Sequence, residues 1–140
     1  MGAAVALKLS PQYEVVHFIR GKDRAKSEIA TIQSGKVPPR DPDGIGSQNY
    51  SQIPQAVVFG RGADPKDIEE IRLACGGESS GLTWLQATPA GVAAMRAVAP
   101  DLGDPAVRDT YATKAAEAMK EVLNGLAEKN MLGEGGLYNY

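Results

Sequence analysis

One imidazole, one thiol and one tyrosine–lysine pair are the groups in this chain best suited to moving a proton or attacking a carbon centre. His17 is the single histidine and Cys75 the single cysteine. His17 is therefore the natural general base near neutral pH, and a Ser-His-Asp arrangement would have to use it. A histidine-rich zinc site or a Cys-His cluster needs more of these ligands than one chain holds, so no metal centre is expected. Tyr111 and Lys114 lie three residues apart, a spacing that places both on one side of a helix. A phenol beside an ammonium is suited to protonating an enolate or a carbonyl oxygen. Asp64 completes the set of acid–base candidates.

Groups able to hold an anion fall in two runs. Arg20-Gly21-Lys22-Asp23-Arg24 offers guanidinium and ammonium donors for a phosphate or carboxylate. Gly60-Arg61-Gly62, followed by Asp64-Pro65, is a glycine turn leading into a helix whose first N–H groups are unpaired. Each candidate also has a structural reading. His17 can be a hydrogen-bonded core or rim group, and Tyr111 can simply complete an apolar stripe. Asp64 as a helix cap would occupy the N–H groups an anion needs, with the glycines serving a turn of positive φ. The basic run can be solvated surface. Cys75 falls near the C-terminal end of a helix, where the dipole disfavours a thiolate, and reads as a core residue.

The elements that must position these groups follow from pattern. Ala3–Leu9 is rich in Ala and Leu and predicts a helix, ended by Ser10-Pro11. Tyr13–Ile19 is β-branched and aromatic and predicts a strand with Val15, His17 and Ile19 on one face. Asp23 or Ser27 caps a helix reaching Gln33. Residues 34–54 hold neither a helical nor a strand period and read as a long loop or lid, with Tyr50 and Ile45 its sizeable apolar groups. Ala56–Phe59 is a second strand; Asp64-Pro65 opens a helix with Ile68, Ile71 and Cys75 on one face. Leu82–Gln86 is a third strand, and Thr88-Pro89 opens the next helix. From Asp104-Pro105, the residues Val107, Tyr111, Ala115, Met119, Val122 and Leu126 give the clearest helical period in the chain. Residues 133–140 show no core-forming pattern and read as a flexible tail whose tyrosines dock on a surface.

At 140 residues the chain suits one domain, and 43% hydrophobic with 23% charged residues is ordinary globular composition. A net charge of −2 provides no overall basic surface, which argues against nucleic acid as the main partner. One cysteine excludes an internal disulfide and suits a reducing compartment. No apolar run approaches a membrane span, and no charged segment precedes the apolar N-terminus as in a signal peptide. These features predict a cytoplasmic protein.

Alternating helices and strands predict a single three-layer α/β domain, residues 1–140, with a small, mainly parallel sheet. Met1 to Arg20 resembles the first helix and second strand of a Rossmann-type NAD(P)-binding protein of the short-chain dehydrogenase or NmrA-like sort. The resemblance implies that Arg20, Lys22, Arg24 and Lys26 lie where such proteins select NADP by its 2′-phosphate. The family's first strand and its glycine-rich dinucleotide turn have no counterpart here, so the resemblance implies a truncated Rossmann-like domain. Its Tyr-Lys pair spaced by four is also replaced by the three-residue spacing of Tyr111 and Lys114.

Ligands in such folds sit beyond the carboxyl ends of the strands. There the Gly60–Asp64 turn, Arg20–Arg24, Gln86–Thr88 and the 34–54 loop are expected to converge. The favoured function is a small-molecule enzyme, an isomerase, cyclase or dehydratase, using acid–base chemistry without a redox cofactor. His17, Tyr111, Lys114 and Asp64 would act on protons, and Arg20 or Arg61 would orient an anionic or carbonyl group. Two alternatives stand beside it. One is an NADP(H)-dependent oxidoreductase-like domain completed by a partner. The other is a non-catalytic binding or regulatory protein, dimeric through an exposed sheet edge.

Overall fold

A computed structural model describes all 140 residues. Helix α1 spans Gly2–Leu9 and α2 Lys22–Gln33; strand β1 is Ala56–Val58 and α3 Pro65–Ala74. Strand β2 is Thr83–Gln86, α4 is Pro89–Val98, α5 is Pro105–Glu128 and β3 is Leu137–Asn139. The strands form one parallel sheet in the order β1-β2-β3, with Val57 beside Trp84 and Leu85 beside Tyr138. No helix is long and apolar enough to cross a membrane.

Alternation along the strands makes two cores. Ala56, Val58 and Leu85 face α1 and α5, where they meet Leu9, Tyr111, Ala115, Met119 and Leu123. Val57 and Trp84 face the other way, toward Ala25 and Ile29 of α2 and Ile68, Ile71 and Cys75 of α3. The result is helix, sheet and helix in three layers, as the sequence pattern predicts. Three helix starts also match. Asp64 accepts from the Lys66 N–H (2.8 Å), Thr88 from Gly91 (3.0 Å) and Asp104 from Ala106 (2.8 Å), each with proline next in sequence.

Two segments depart from expectation. Tyr13–Ile19 is extended but belongs to no sheet. Its Val15 and Val16 carbonyls accept instead from the Ser47 and Gln48 N–H groups of the long loop, both at 2.8 Å. Without a pleated ladder the alternation fails: Val15 packs into the α1–α5 core and Ile19 into the α2–α3 core. The third strand of the sheet comes from residues read as a tail. The Trp84 N–H donates to Gly136 and the Tyr140 N–H to Gln86, fastening β3 along β2. Gly135 permits this, because a Cβ there would run into the Glu78 carbonyl. The N-cap of α2 is Gly21, two residues before Asp23 and six before Ser27, and Asp23 lies in the first turn.

Candidate functional site

The residues nominated from sequence gather in two places rather than one. The first lies beneath the 34–54 loop. Within that loop Asp41, 1% exposed, turns its carboxylate onto the chain that follows it. One oxygen accepts from the Asp43 N–H (2.9 Å), the other from Ile45 (3.2 Å) and Gly46 (3.1 Å). The closed loop then docks on the extended segment. Gly46 is the point of closest approach, since a Cβ there would overlap the Val16 carbonyl. Docking places Tyr50 against His17, with its hydroxyl 2.6 Å from Nδ1. The other ring nitrogen, Nε2, is 2.9 Å from Glu28 Oε2. Arg24, one turn before Glu28 on α2, grips the same carboxylate through Nε (3.0 Å) and Nη2 (2.9 Å).

Tyr50, His17, Glu28 and Arg24 thus form one continuous chain of hydrogen bonds. The His17 and Glu28 side chains are only 3% and 5% exposed. Burial pushes the Tyr50 phenol above its usual range, and the negative charges of Asp41 and Glu28 add to the effect. The arrangement resembles a hydroxyl–imidazole–carboxylate relay, here with the imidazole and carboxylate closed off from solvent. It ties loop, segment and helix together.

The second place lies beyond the carboxyl ends of the strands, where α/β folds hold their ligands. An apolar pocket of about 380 Å³ opens there, lined by Arg61, Ala94, Val98, Ala106, Val107, Thr110, Tyr111 and Lys114. That volume is in the small-molecule range. The Arg61 guanidinium carbon lies 5.3 Å from the Tyr111 ring centre and 5.6 Å from that of Tyr140. Tyr140 is itself fixed, its hydroxyl donating to the Phe59 carbonyl (2.7 Å). Burial holds its phenol far above the usual range, with Arg61 pulling the other way. A more polar cleft of about 610 Å³ runs between Gln12–Val16 and Asn49–Gln55, and its lining holds no cation.

The remaining nominated residues have other duties. Arg20 pairs with Asp43 (3.0 Å), Lys22 with Glu70 (2.8 Å) and Asp67 (3.5 Å), and Lys26 with Glu70 (2.6 Å). With Arg24 on Glu28, every cation of the 20–26 run faces a carboxylate. The hydrogen bonds from Lys22 and Lys26 hold the Glu70 carboxyl down at about 2. Asp64 caps α3. Gly60 and Gly62 are not in the left-handed region, so the turn uses no positive φ. Gln86 bonds Asn139 across the sheet (3.0 Å), and Thr88 caps α4. Cys75 is buried and its thiol pushed up by that burial.

The expected single convergence therefore divides. Because Tyr13–Ile19 is not a strand of the sheet, Arg20–Arg24 do not stand at a strand's carboxyl end. They stand beside the loop. Three contributors were missed. Glu28 shares the Ala25–Ile29 face of α2, so a buried acid was readable there. Asp41 lies in Asp41-Pro42-Asp43-Gly44, a sequence suited to a side-chain turn. Tyr140 follows a three-residue strand too short to show a period, so no local signal marked it.

No protein-family model matches the chain, and no solved structure matches it. It is similar to Kojic acid related protein 6 of Aspergillus oryzae (strain ATCC 42149 / RIB 40), with 31% identity over 106 residues. The match takes in 74% of this chain and 62% of the relative, so the chain spans less than two thirds of that relative's length.

Proposed function

We propose that this domain is a small-molecule enzyme working by acid–base chemistry, of the isomerase, cyclase or dehydratase type. Its substrate would occupy the apolar pocket beyond the carboxyl ends of β1 and β2. The observation that carries this reading is that Tyr111 and Lys114, one turn apart on α5, line that pocket together with Arg61. Tyr111 acts as the proton donor to an oxygen of the substrate, and the phenolate so formed takes the proton that leaves the neighbouring carbon, so the phenol is restored when the product forms. Lys114, three residues further along α5, brings an ammonium to the same pocket. A positioned acid of this kind contributes roughly 10²- to 10⁴-fold in rate. His17 lies apart from this pocket, in the cluster with Tyr50 and Glu28, and is given no step here. The relative's name refers to kojic acid, a small organic molecule, which supports a small-molecule role.

The test incubates the protein with a cell metabolite extract and follows the compounds consumed by mass spectrometry. The expected product has the mass of its precursor, or is lighter by one water. Tyr111→Phe should slow its formation by about 100-fold or more. Unchanged turnover in Tyr111→Phe, or an extract in which nothing is converted, would overturn the proposal.

A further inference from the structure

Two arginines carry a buried Nε with no hydrogen-bond partner, Arg61 and Arg72. Arg20 and Arg24 are ion-paired, and Arg72, although its Nε is unpaired, donates through Nη2 to the Gly135 carbonyl (3.1 Å). Arg61 forms no ion pair and no hydrogen bond with any residue, and its Nε is buried. What holds it is aromatic: the faces of Tyr111 and Tyr140, both within 6 Å of the guanidinium carbon. Those faces favour the cation but do not neutralise it. Behind it stands the first turn of α4. A Cβ on Gly91 would come within 3.0 Å of Arg61 Nε and 3.4 Å of Cζ, so the guanidinium passes close to that glycine.

The guanidinium thus lies close to two aromatic rings and pairs with no acid, at the edge of a pocket lined in part by Ala94, Val98, Ala106 and Val107. Arginine bound by an internal carboxylate would be a structural device. Arginine held this way lacks its counter-ion.

We propose that Arg61 is the anion subsite of the pocket, taking the carboxylate or other planar oxyanion of a small organic acid. The apolar body of that acid rests against Val98, Ala106 and Val107. A planar two-oxygen anion matches the fork of guanidinium donors. Lys114, on the rim, adds a second positive charge. The apolar lining disfavours a fully hydrated inorganic ion, whose remaining oxygens would find no donors there. This rests on the same pocket as the proposed enzyme but needs no turnover.

Benzoate serves as the probe, titrated into the isotopically labelled full chain while backbone amide shifts are followed. Benzamide, its neutral counterpart, and inorganic phosphate serve as controls. Benzoate should move the amides of Arg61, Gly91, Thr110 and Lys114, and bind at least about tenfold more tightly than either control. Arg61→Met should weaken benzoate by about tenfold or more. Gly91→Ala keeps the charge but displaces the guanidinium, and should weaken it in the same direction. Equal binding of benzamide, or undiminished binding in both variants, would overturn the subsite. Preferential binding of phosphate would overturn the organic-acid assignment. Tyr111→Phe should retain benzoate binding, so loss of turnover there with binding intact separates this inference from the catalytic one.

Discussion

Replacing Asp41 by alanine should open the 34–54 loop and lower the stability of the fold measurably. The carboxylate receives three backbone N–H groups, and hydrogen bonds to a charged acceptor are each worth about 1.5–3 kcal/mol. Three lost outright would total roughly 5–9 kcal/mol, a large share of the about 5–15 kcal/mol that folded domains have. The loss is smaller because the donors are within reach of water: Asp43 is exposed, and Ile45 and Gly46 are half-buried. Rehydration of those amides leaves about 2–4 kcal/mol for Asp41→Ala. Asp41→Asn should lose about 1–2 kcal/mol, because one oxygen survives while the amide nitrogen turns a donor toward a donor. Urea denaturation gives the global figure. Hydrogen exchange at Asp43, Ile45, Gly46, Ser47 and Gln48 reports the loop itself.

Acid should act on the same device. Burial alone would raise the Asp41 carboxyl, but the N–H groups of Gly46, Asp43 and Ile45, helped by His17, outweigh it and hold the carboxyl below its ordinary value. A lowered folded-state value means that the stabilisation is fully present above the unfolded value of about 3.9 and is lost as pH falls through the folded one. Loop amides should therefore lose protection in strong acid, below the usual carboxylate range. The reasoning is refuted if Asp41→Ala stays within about 0.5 kcal/mol of the parent with loop amides equally protected.

Two further outcomes follow from the packing. Tyr140→Phe removes the donor to the Phe59 carbonyl and should cost about 1–3 kcal/mol in urea denaturation, with amides of β3 exchanging faster. Glu28→Ala leaves Arg24 and His17 without their shared acceptor and should cost about 1–3 kcal/mol by the same measurement, since the Arg24 side chain, 35% exposed, can turn to water. Glu28→Gln, which retains an acceptor oxygen, should recover part of that loss.

Much of the helical scaffold was legible because its signals are local. A cap and the proline after it lie side by side in sequence, and the apolar stripe of α5 repeats within single turns. The long-range decisions were not. Tyr13–Ile19 has the composition of a strand, yet a strand also needs a neighbour offering its backbone edge. The loop takes the carbonyls of Val15 and Val16, through residues more than thirty positions away in sequence. The tail became a strand for the converse reason: Leu137–Asn139 is too short to show a period, and β2 supplies the edge it pairs with. The candidate site divides along the same line. Tyr111 and Lys114 share a turn of one helix and were readable together. The partnership of Tyr50, His17, Glu28 and Arg24 depends on how the loop docks.

Geometry at the proposed site depends more on α5 than on the sheet. Strands of three or four residues form few ladder bonds, whereas α5 runs for 24 residues and is buried along one side. That side presents Ala112, Ala115 and Ala116, all at most 2% exposed, and Ala115 and Ala116 share a core with Val5 and Leu9 of α1. Small side chains let neighbouring elements approach closely, which fixes the rotation of α5 about its axis. That rotation sets Tyr111 against Arg61 and leaves Lys114 at the rim. Tyr140, at the end of β3, closes the other side of the guanidinium. The segment read as a flexible tail therefore supplies one of the two aromatic rings beside the Arg61 charge.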